Sequence, residues 1–300
     1  MSAQSKYATE RVGDWGVPGA DGYQEATFTA PDGLKLFYRQ WLVEEKAPTV
    51  VILHGLGAHS GWFIDMGAEL RARGLNTLAI DHRGFGRSEG PRGHTRDGSV
   101  FPRDITAFLQ AQKTTRPDSP LFMLGHSMGA IFAIFVAAAD ATQAQPLLSG
   151  VALVNPWIAD QSQVSLGTVT RLLITGAAGS TAPFTTGDTA TMTTNPEALA
   201  LLGADTFWVR AETASFLYQV TRMRMAAISR ARQVRAPALV IQCEADKAVK
   251  PAASRRMYEA LGSMDKTWKT YPGFAHDFEF EPERALLDDD LVAWIKAHSA

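Results

Sequence analysis

The chain has one cysteine, Cys243, among its 300 residues. A single thiol cannot form an intramolecular disulfide or build a cysteine-based metal cluster. No apolar stretch approaches the length of a membrane-spanning helix, and the polar first fifteen residues lack the apolar core of a secretory signal. We therefore expect a cytoplasmic protein whose stability comes from a packed core.

The sequence also lacks an excess of positive or negative charge. Lys and Arg total 29 and Asp and Glu total 31, so the net charge is −2 and no nucleic-acid partner is expected. The hydrophobic content of 46% is typical of a globular chain. His59, His82, His94 and His126 do not combine with carboxylates at metal-ligand spacing, so we predict no metal. The length fits one large α/β domain that carries an insertion.

Apolar runs alternate with helical patterns along most of the chain. Pro31, Asp32 and Gly33 form a turn signal that predicts an antiparallel hairpin between residues 25–30 and 34–41, after a polar lead-in over 1–23. Further strands are then predicted at 49–53, 75–80, 121–124, 151–154, 237–243 and 267–271, and those at 49–53, 121–124 and 237–243 are expected to be buried. Helices are predicted at 62–73, 101–112, 130–139, 251–261 and 282–298. This alternation predicts an α/β fold with a mostly parallel sheet and helices on both faces.

Residues 157–235 interrupt the alternation. No convincing strand is visible there, whereas helices are expected around 166–174, 196–202 and 207–227. We interpret this segment as a helical cap (lid) over a core formed by residues 1–156 and 236–300. Most of its apolar residues are expected to pack the cap onto the core, and some to roof a channel above Ser127 for an apolar acyl group. The arginines near its end favour a solvated face, with transient contact to anionic lipid as the alternative; they are Arg222, Arg224, Arg230, Arg232 and Arg235.

A Gly-x-Ser-x-Gly motif at residues 125–129 joins the strand at 121–124 to the helix that follows. Such a strand-to-helix turn strains the central residue, and the flanking glycines keep Cβ atoms out of the crowded turn. Ser127 is therefore predicted to be a nucleophile. The same pattern recurs around Ser88, but glycines and Pro91 exclude a helix directly after it, which indicates a loop serine.

A serine nucleophile needs a base and an acid, which follow it in the chain order of a doubly wound hydrolase. His276 and His298 are the histidines after Ser127. His276 lies in a loop after a strand, where a parallel sheet carries its chemistry, whereas His298 ends a helix. Asp246 is the preferred acid; Asp265 precedes its strand, and Glu244 stays open on physical grounds.

The oxyanion requires two N–H donors. One is predicted to be the backbone N–H of Met128, which follows the nucleophile, and the other that of Leu56 in the loop after the strand at 49–53. His54, at the start of that loop, precedes Ser127 in the chain and is expected to brace the loop.

Several motifs together resemble the monoacylglycerol lipase and lysophospholipase branch of the α/β-hydrolase superfamily: HGLGAHSGW (54–62), DHRGFGRSEGPRGH (81–94), LGHSMGA (124–130), EADKAV (244–249) and YPGFAHDF (271–278). The resemblance implies a triad of Ser127, Asp246 and His276, which selects Asp246 over Glu244. It also implies oxyanion donors at Leu56 and Met128 and no cofactor.

The function expected from this resemblance is hydrolysis of a monoacylglycerol or similar lipid-like ester through an acyl-enzyme. Two alternatives remain open: a general carboxylesterase for short or aromatic acyl groups, and a non-catalytic binding protein on the same fold.

Overall fold

The sheet opens with an antiparallel hairpin. The computed structural model describes residues 22–161, 165–185 and 192–299, so the predicted lead-in over 1–23 lies almost wholly outside the described residues. Strands β1 (Gln24–Thr29) and β2 (Lys35–Trp41) pair antiparallel, as predicted. Gly33 in the connecting turn has a φ of 90°, which a residue with a Cβ adopts only with strain.

The remaining strands extend this hairpin into one large sheet. In chain order they are β3 (Thr49–Leu53), β4 (Asn76–Ile80), β5 (Leu121–His126), β6 (Leu148–Val154), β7 (Pro183–Thr185), β8 (Ala211–Thr213), β9 (Ala238–Cys243) and β10 (Lys266–Tyr271). All except β7 and β8 belong to an 8-stranded sheet of order β1-β2-β4-β3-β5-β6-β9-β10. Neighbouring strands run parallel from β4 to β10, whereas β2 joins β4 antiparallel.

Helices cover both faces of this sheet. They are α1 (Ile64–Ala72), α2 (Val100–Thr115), α3 (Met128–Asp140), α4 (Leu166–Ala177), α5 (Pro196–Ala204), α6 (Ala214–Ala231), α7 (Pro251–Ala260) and α8 (Ala285–Ala297). The apolar side chains of α2, α3 and α6 belong to one core cluster, and those of α1 and α8 belong to the other. Strands β3, β4, β5 and β9 are buried at every position because both faces are covered. The predicted fold class is therefore what the chain adopts.

The connections create a switch point between β3 and β5. The chain passes from β3 to β4 on one side of β3, and then crosses to β5 on the other side. Leu53 and Gly125 are register partners, so the loops that follow β3 and β5 begin at the same level. In sheets of this kind, ligands bind outside the carboxyl ends of the strands at such a point.

The described part of residues 157–235 is mainly helical, but the expectation that this segment contains no strand is wrong. Strands β7 and β8 form a separate antiparallel pair of three residues each, too short for an alternating pattern to reveal. The helix expected over 207–227 begins later, at Ala214, because Ala211–Thr213 is extended. The Thr213 side chain then caps α6 by accepting a hydrogen bond from the Phe216 N–H at 3.2 Å.

The helical segment carries exposed apolar side chains on α4. Leu166 is 81% exposed and Ile174 is 67% exposed, and Val169 and Leu173 on the same helix are also exposed. Among the helices within the described ranges, none is both long and apolar enough to cross a membrane.

Candidate active site

Ser127 stands at the turn from β5 into α3 with φ of 52° and ψ of −111°. The flanking glycines allow this turn because a Cβ at Gly125 would lie 2.6 Å from the Ala130 Cα, and one at Gly129 would collide with the Leu53 carbonyl oxygen. Strained backbone of this kind persists only where the surrounding structure enforces it. The serine side chain is thus presented at the carboxyl edge of the sheet.

His276 meets this serine from the loop after β10. Its Nε2 lies 2.9 Å from the Ser127 Oγ, a distance at which the hydroxyl donates to the imidazole. The other ring nitrogen, Nδ1, donates to the Asp246 Oδ2 at 2.7 Å. One imidazole therefore connects the serine hydroxyl to a carboxylate, and the carboxylate holds it in the tautomer that can accept the serine proton.

Asp246 reaches His276 from the loop after β9. Its other carboxylate oxygen accepts the N–H groups of Ala248 at 2.7 Å and Val249 at 3.0 Å, which fixes the orientation of the carboxylate. Burial lowers the pKa of His276, but the Asp246 charge and hydrogen bond outweigh it, so the pKa is raised above 6.5. Of the other candidate acids, Glu244 is exposed and Asp265 pairs with His298 at 3.0 Å.

Two backbone N–H groups near this serine have no hydrogen-bond acceptor among the described residues. Within the described ranges, neither the Leu56 N–H nor the Met128 N–H donates a hydrogen bond to the protein. Met128 begins α3, so its N–H is one of the orphan donors at the positive end of a helix dipole. Leu56 and Ser127 line the same cavity. The two predicted oxyanion donors are thus available to a ligand.

The other polar residues singled out in the sequence have structural partners. His54 accepts the His82 N–H on Nε2 at 3.0 Å and donates from Nδ1 to the Gly55 carbonyl at 2.7 Å, which braces the loop as expected. Burial lowers the pKa of His54 to about 3. The Ser88 hydroxyl donates to the Asp81 carbonyl at 2.7 Å and is buried, so it serves the loop.

A cavity of about 390 Å³ opens above Ser127 and His276. Its wall is largely apolar and rich in tryptophan, with a few charged groups; the lining includes Leu56, Trp62, Trp157, Asp160, Met192, Trp208, Val209, Glu212 and Lys247. Several of these belong to the helical segment 157–235, which therefore forms part of the cavity wall.

Comparison with known proteins agrees with this geometry. The family profile described as "Serine aminopeptidase, S33" matches residues 44–283. The chain is 30% identical over 278 residues to the monoacylglycerol lipase of Mycolicibacterium smegmatis, covering 91% of this chain and 97% of that protein. It is also 30% identical over 279 residues to human monoglyceride lipase, covering 90% of this chain and 89% of that protein. The chain belongs to the monoglyceride lipase-like family of serine α/β-hydrolases.

A solved structure confirms the fold of this hydrolase. A soluble variant of the Saccharomyces cerevisiae monoglyceride lipase, in complex with a substrate analogue, superimposes with a TM-score of 0.82 at 21% sequence identity. The match covers 92% of this chain and 95% of that structure. The predicted α/β-hydrolase fold is thereby confirmed. The family match and the relatives at 30% identity confirm the predicted class, a lipase-type serine hydrolase.

Sequence reasoning missed a set of buried hydrogen bonds between the hydrolase's chain after β3 and the helical segment. The Asp205 Oδ2 accepts from the His59 Nε2 at 2.9 Å and from the Trp62 Nε1 at 2.8 Å. Burial would raise the pKa of Asp205, but these donors lower it to about 2. The Val209 N–H also donates to the Gly57 carbonyl at 3.0 Å. The motif containing His59 could have suggested an interacting residue, but nothing in the sequence identified Asp205 as its partner.

The arginine run near the end of the segment is only partly a solvated face. The Arg224 guanidinium pairs with the Asp160 carboxylate at 2.8 Å and lies over the Trp157 ring. This arginine is 18% exposed and supports the cavity wall, because Asp160 and Trp157 both line the cavity.

One cluster of ligand-type atoms does occur among the described residues, although none was expected from the sequence spacing. His126, His276 and Asp277 bring such atoms within 4.8 Å of one another. The ring nitrogens of His276 are already engaged by Asp246 and Ser127, and the His126 Nε2 donates to the His276 carbonyl at 3.0 Å. These contacts account for the cluster as part of the serine–histidine site.

Proposed function

We propose that this chain hydrolyses a monoacylglycerol or a similar lipid-like ester through an acyl-enzyme on Ser127. The observation that carries the proposal is the hydrogen-bonded line from Ser127 through His276 to Asp246, which opens into a largely apolar cavity. The relatives named above are monoacylglycerol lipases, which supports an ester of this class as the substrate.

In the proposed mechanism, the Ser127 oxygen attacks the ester carbonyl while His276 Nε2 takes the hydroxyl proton. The Leu56 and Met128 N–H groups stabilise the negative oxygen of the tetrahedral intermediate, and Asp246 stabilises the imidazolium. His276 returns the proton to the alcohol oxygen as that bond breaks. Water then attacks the acyl-enzyme with His276 as base, which releases the fatty acid and restores Ser127. Apart from the ester and water, the proposed reaction uses only side chains and backbone N–H groups of this chain, without a cofactor or metal.

Residues 157–235 act, in this proposal, as the cap of a core formed by residues 1–156 and 236–300. Trp157, Met192, Trp208 and Val209 from this segment line the cavity and would contact the substrate. The charged lining of Asp160, Glu212 and Lys247 supplies polar partners for the hydroxyl groups of the alcohol. Substrate choice would therefore reside mainly in the cap.

The exposed apolar face of α4 supports transient contact between the cap and a membrane surface that holds the substrate. Leu166 and Ile174 expose most of their apolar surface there, which is costly in water and favourable in a lipid interface. Replacing both by Ser should weaken sedimentation with phosphatidylcholine vesicles that contain monoacylglycerol, while hydrolysis of a water-soluble ester stays unchanged. The matched control is Val43→Ser, at an exposed apolar position outside the cap. Unchanged vesicle binding in the double variant would refute this contact. A cytoplasmic location stays a prediction from the sequence.

The decisive test of the proposed function is Ser127→Ala. We expect the wild type to release fatty acid from a monoacylglycerol and to react with a fluorophosphonate probe, and the variant to lose nearly all of both activities while it stays folded by circular dichroism. A variant that retains most turnover would overturn the role of Ser127. A wild type that neither turns over esters nor reacts with the probe would favour the non-catalytic binding protein instead.

The size of the cavity favours a second candidate, a carboxylesterase for short or aromatic acyl groups. A volume of about 390 Å³ lies at the small end of the roughly 300–1,000 Å³ usual for ligand pockets. The rings of Trp62, Trp157 and Trp208 would pack well against an aromatic acyl group. A series of nitrophenyl esters from acetyl to palmitoyl, with a benzoyl ester beside it, distinguishes the two. A maximum of kcat/KM at long chains favours the lipase, and one at short or benzoyl esters favours the esterase.

A further inference from the structure

Asn155 connects the loop of the proposed base to the strand of the proposed acid. It follows β6 and is fully buried. Its Nδ2 donates to the His276 carbonyl at 2.7 Å, and its Oδ1 accepts the Cys243 N–H at 2.8 Å. Cys243 ends β9, the strand that leads into the Asp246 loop. A single carboxamide thus links the His276 loop to the end of the strand that leads into the Asp246 loop.

The residues around Asn155 also hold the nucleophile. The Ser127 N–H donates to the Val154 carbonyl at 3.0 Å, and the Trp157 N–H donates to the Ser127 carbonyl at 3.2 Å. Residues 154–157 therefore contact the backbone of the nucleophile on both sides. This one short segment therefore contacts Ser127, the His276 carbonyl and the strand that leads into the Asp246 loop.

A second donor meets the carbonyl that Asn155 holds. The His126 Nε2 donates to the His276 carbonyl at 3.0 Å, and His126 directly precedes the nucleophile. The base loop is thus fixed by one donor from the nucleophile strand β5 and another from the end of β6. Two hydrogen bonds to one buried carbonyl restrict its position more than either does alone.

The backbone at Asn155 is strained in the same way as that at Ser127. In the part of the chain that the structure describes, these are the two non-glycine residues with positive φ, 45° at Asn155 and 52° at Ser127. Asn tolerates this conformation better than most residues, and its side chain offers both a donor and an acceptor. Asp would keep the acceptor but place a second oxygen against the His276 carbonyl.

We propose that Asn155 is a positioning residue for the hydrolytic triad, one that keeps the His276 imidazole aligned between Ser127 and Asp246. The inference rests on the proposed function. Asn155 is not among the residues that line the cavity, so it acts through His276 and not on the substrate. Its loss should therefore lower kcat and leave KM nearly unchanged.

The test compares Asn155→Gly with the matched control Asn76→Gly in the full chain. Glycine keeps the positive φ at position 155 while it removes the carboxamide. Asn76 is also fully buried and also bridges loops, donating to the Glu44 carbonyl at 2.7 Å and accepting the Val43 N–H at 2.8 Å. Asn76 begins β4, at the end of the sheet away from the site. Both variants therefore lose the hydrogen bonds of a buried carboxamide, but only Asn155→Gly loses them beside the triad.

We expect Asn155→Gly to lower kcat for nitrophenyl butyrate by about 10- to 100-fold with KM within about two-fold, the range set by a small misplacement of reacting groups. The acidic limb of its pH profile should move to lower pH, because a looser contact with Asp246 raises the pKa of His276 less. Asn76→Gly should lose thermal stability without either change. A kcat within about three-fold of wild type and an unmoved acidic limb would overturn the proposal.

Further variants keep the proposal testable if Asn155→Gly does not fold. Asn155→Asp retains the acceptor and should show the same fall in kcat. If that variant is also unfolded, His126→Phe removes the other donor to the His276 carbonyl, and its kcat, KM and acidic limb are compared with wild type by the same criteria. Fluorophosphonate labelling of the wild type distinguishes failure of the positioning role from failure of the proposed function. A labelled, active wild type with unaffected variants rejects only the positioning role, whereas an unlabelled wild type rejects the proposed function itself.

Discussion

The substitution Asp246→Asn tests how the proposed base is held. In the wild type, Asp246 Oδ1 accepts the N–H groups of Ala248 and Val249, while Oδ2 accepts His276 Nδ1–H at 2.7 Å. An asparagine must keep its oxygen on those two N–H donors, because its NH₂ group cannot accept a hydrogen bond. The NH₂ group is therefore directed at His276 Nδ1, which then has to be the unprotonated nitrogen.

The size of the effect follows from this change of tautomer. With Nδ1 unprotonated, the neutral imidazole carries its proton on Nε2, which faces the Ser127 hydroxyl at 2.9 Å and can no longer accept the serine proton. The same substitution in a well-characterised Ser-His-Asp triad lowers kcat by about 10⁴. At about 1.4 kcal/mol for each factor of ten, this corresponds to roughly 5 kcal/mol of lost transition-state stabilisation.

The assay is steady-state hydrolysis of nitrophenyl butyrate at pH 7.5, with fluorophosphonate titration to count active sites. Glu244→Gln is the matched control, since it makes the same acid-to-amide change on an exposed residue of the same loop and should leave kcat unchanged. Asp246→Asn retaining more than about a tenth of wild-type kcat would refute the tautomer argument. A large loss in Glu244→Gln instead would reassign the acid to Glu244, the alternative that physical reasoning from the sequence left open.

Three further predictions concern titration and burial. Because Asp246 raises the pKa of His276 above 6.5 and only the neutral imidazole is a base, kcat/KM should fall as pH drops through a midpoint above 6.5; a flat profile down to pH 5.5 would contradict this. Asp205→Ala removes one member of the buried pair with His59, so urea denaturation should show a free energy of unfolding lower by about 3–5 kcal/mol. The control Asp118→Ala, in the exposed pair with Lys46, should lower it by under about 1 kcal/mol. Burial raises the pKa of Glu279 to about 8, so the folded state keeps a proton that the unfolded chain loses near 4.5, and stability is lost as pH rises between these values. Glu279→Gln should therefore raise the melting temperature at pH 8 but not at pH 4.5; equal shifts at both pH values would contradict this.

Much of the fold and the core of the site could be predicted from the sequence because their signals are local. Thr49–Leu53 is an unbroken apolar run, as expected of a parallel strand buried on both faces. Ser127 was recognisable from its flanking glycines together with the strand before it and the helix after it. His276 and Asp246 follow strands, and the carboxyl ends of parallel strands lie at one edge of the sheet. For these three residues, the position relative to the predicted strands was therefore enough to predict that they lie at one edge of the sheet.

The features that escaped prediction depend on partners far apart in the sequence. His59 and Asp205 are 146 positions apart, and the Asn155 side chain donates to a carbonyl 121 positions away. The hydrophobic periodicity of the sequence does not indicate such a pairing, and an isolated Asn or Asp in a sequence usually indicates a turn or a cap. The three-residue strands β7 and β8 were missed for a related reason, since they are defined by each other and not by an alternating pattern of their own.

The long-range contacts of Asp205 and Asn155 both connect segments around the candidate active site. Asp205 connects the helical segment to the residues that follow the Leu56 loop, and Asn155 connects the His276 loop to β9, the strand that leads into the Asp246 loop. The local motifs supply reactive groups, but each motif lies on a separate loop, and loops are the mobile part of an α/β sheet. Alignment to within a fraction of an ångström requires ties between the loops. Variants at these ties should therefore reduce the rate of the chemical step even though their side chains never contact the ester.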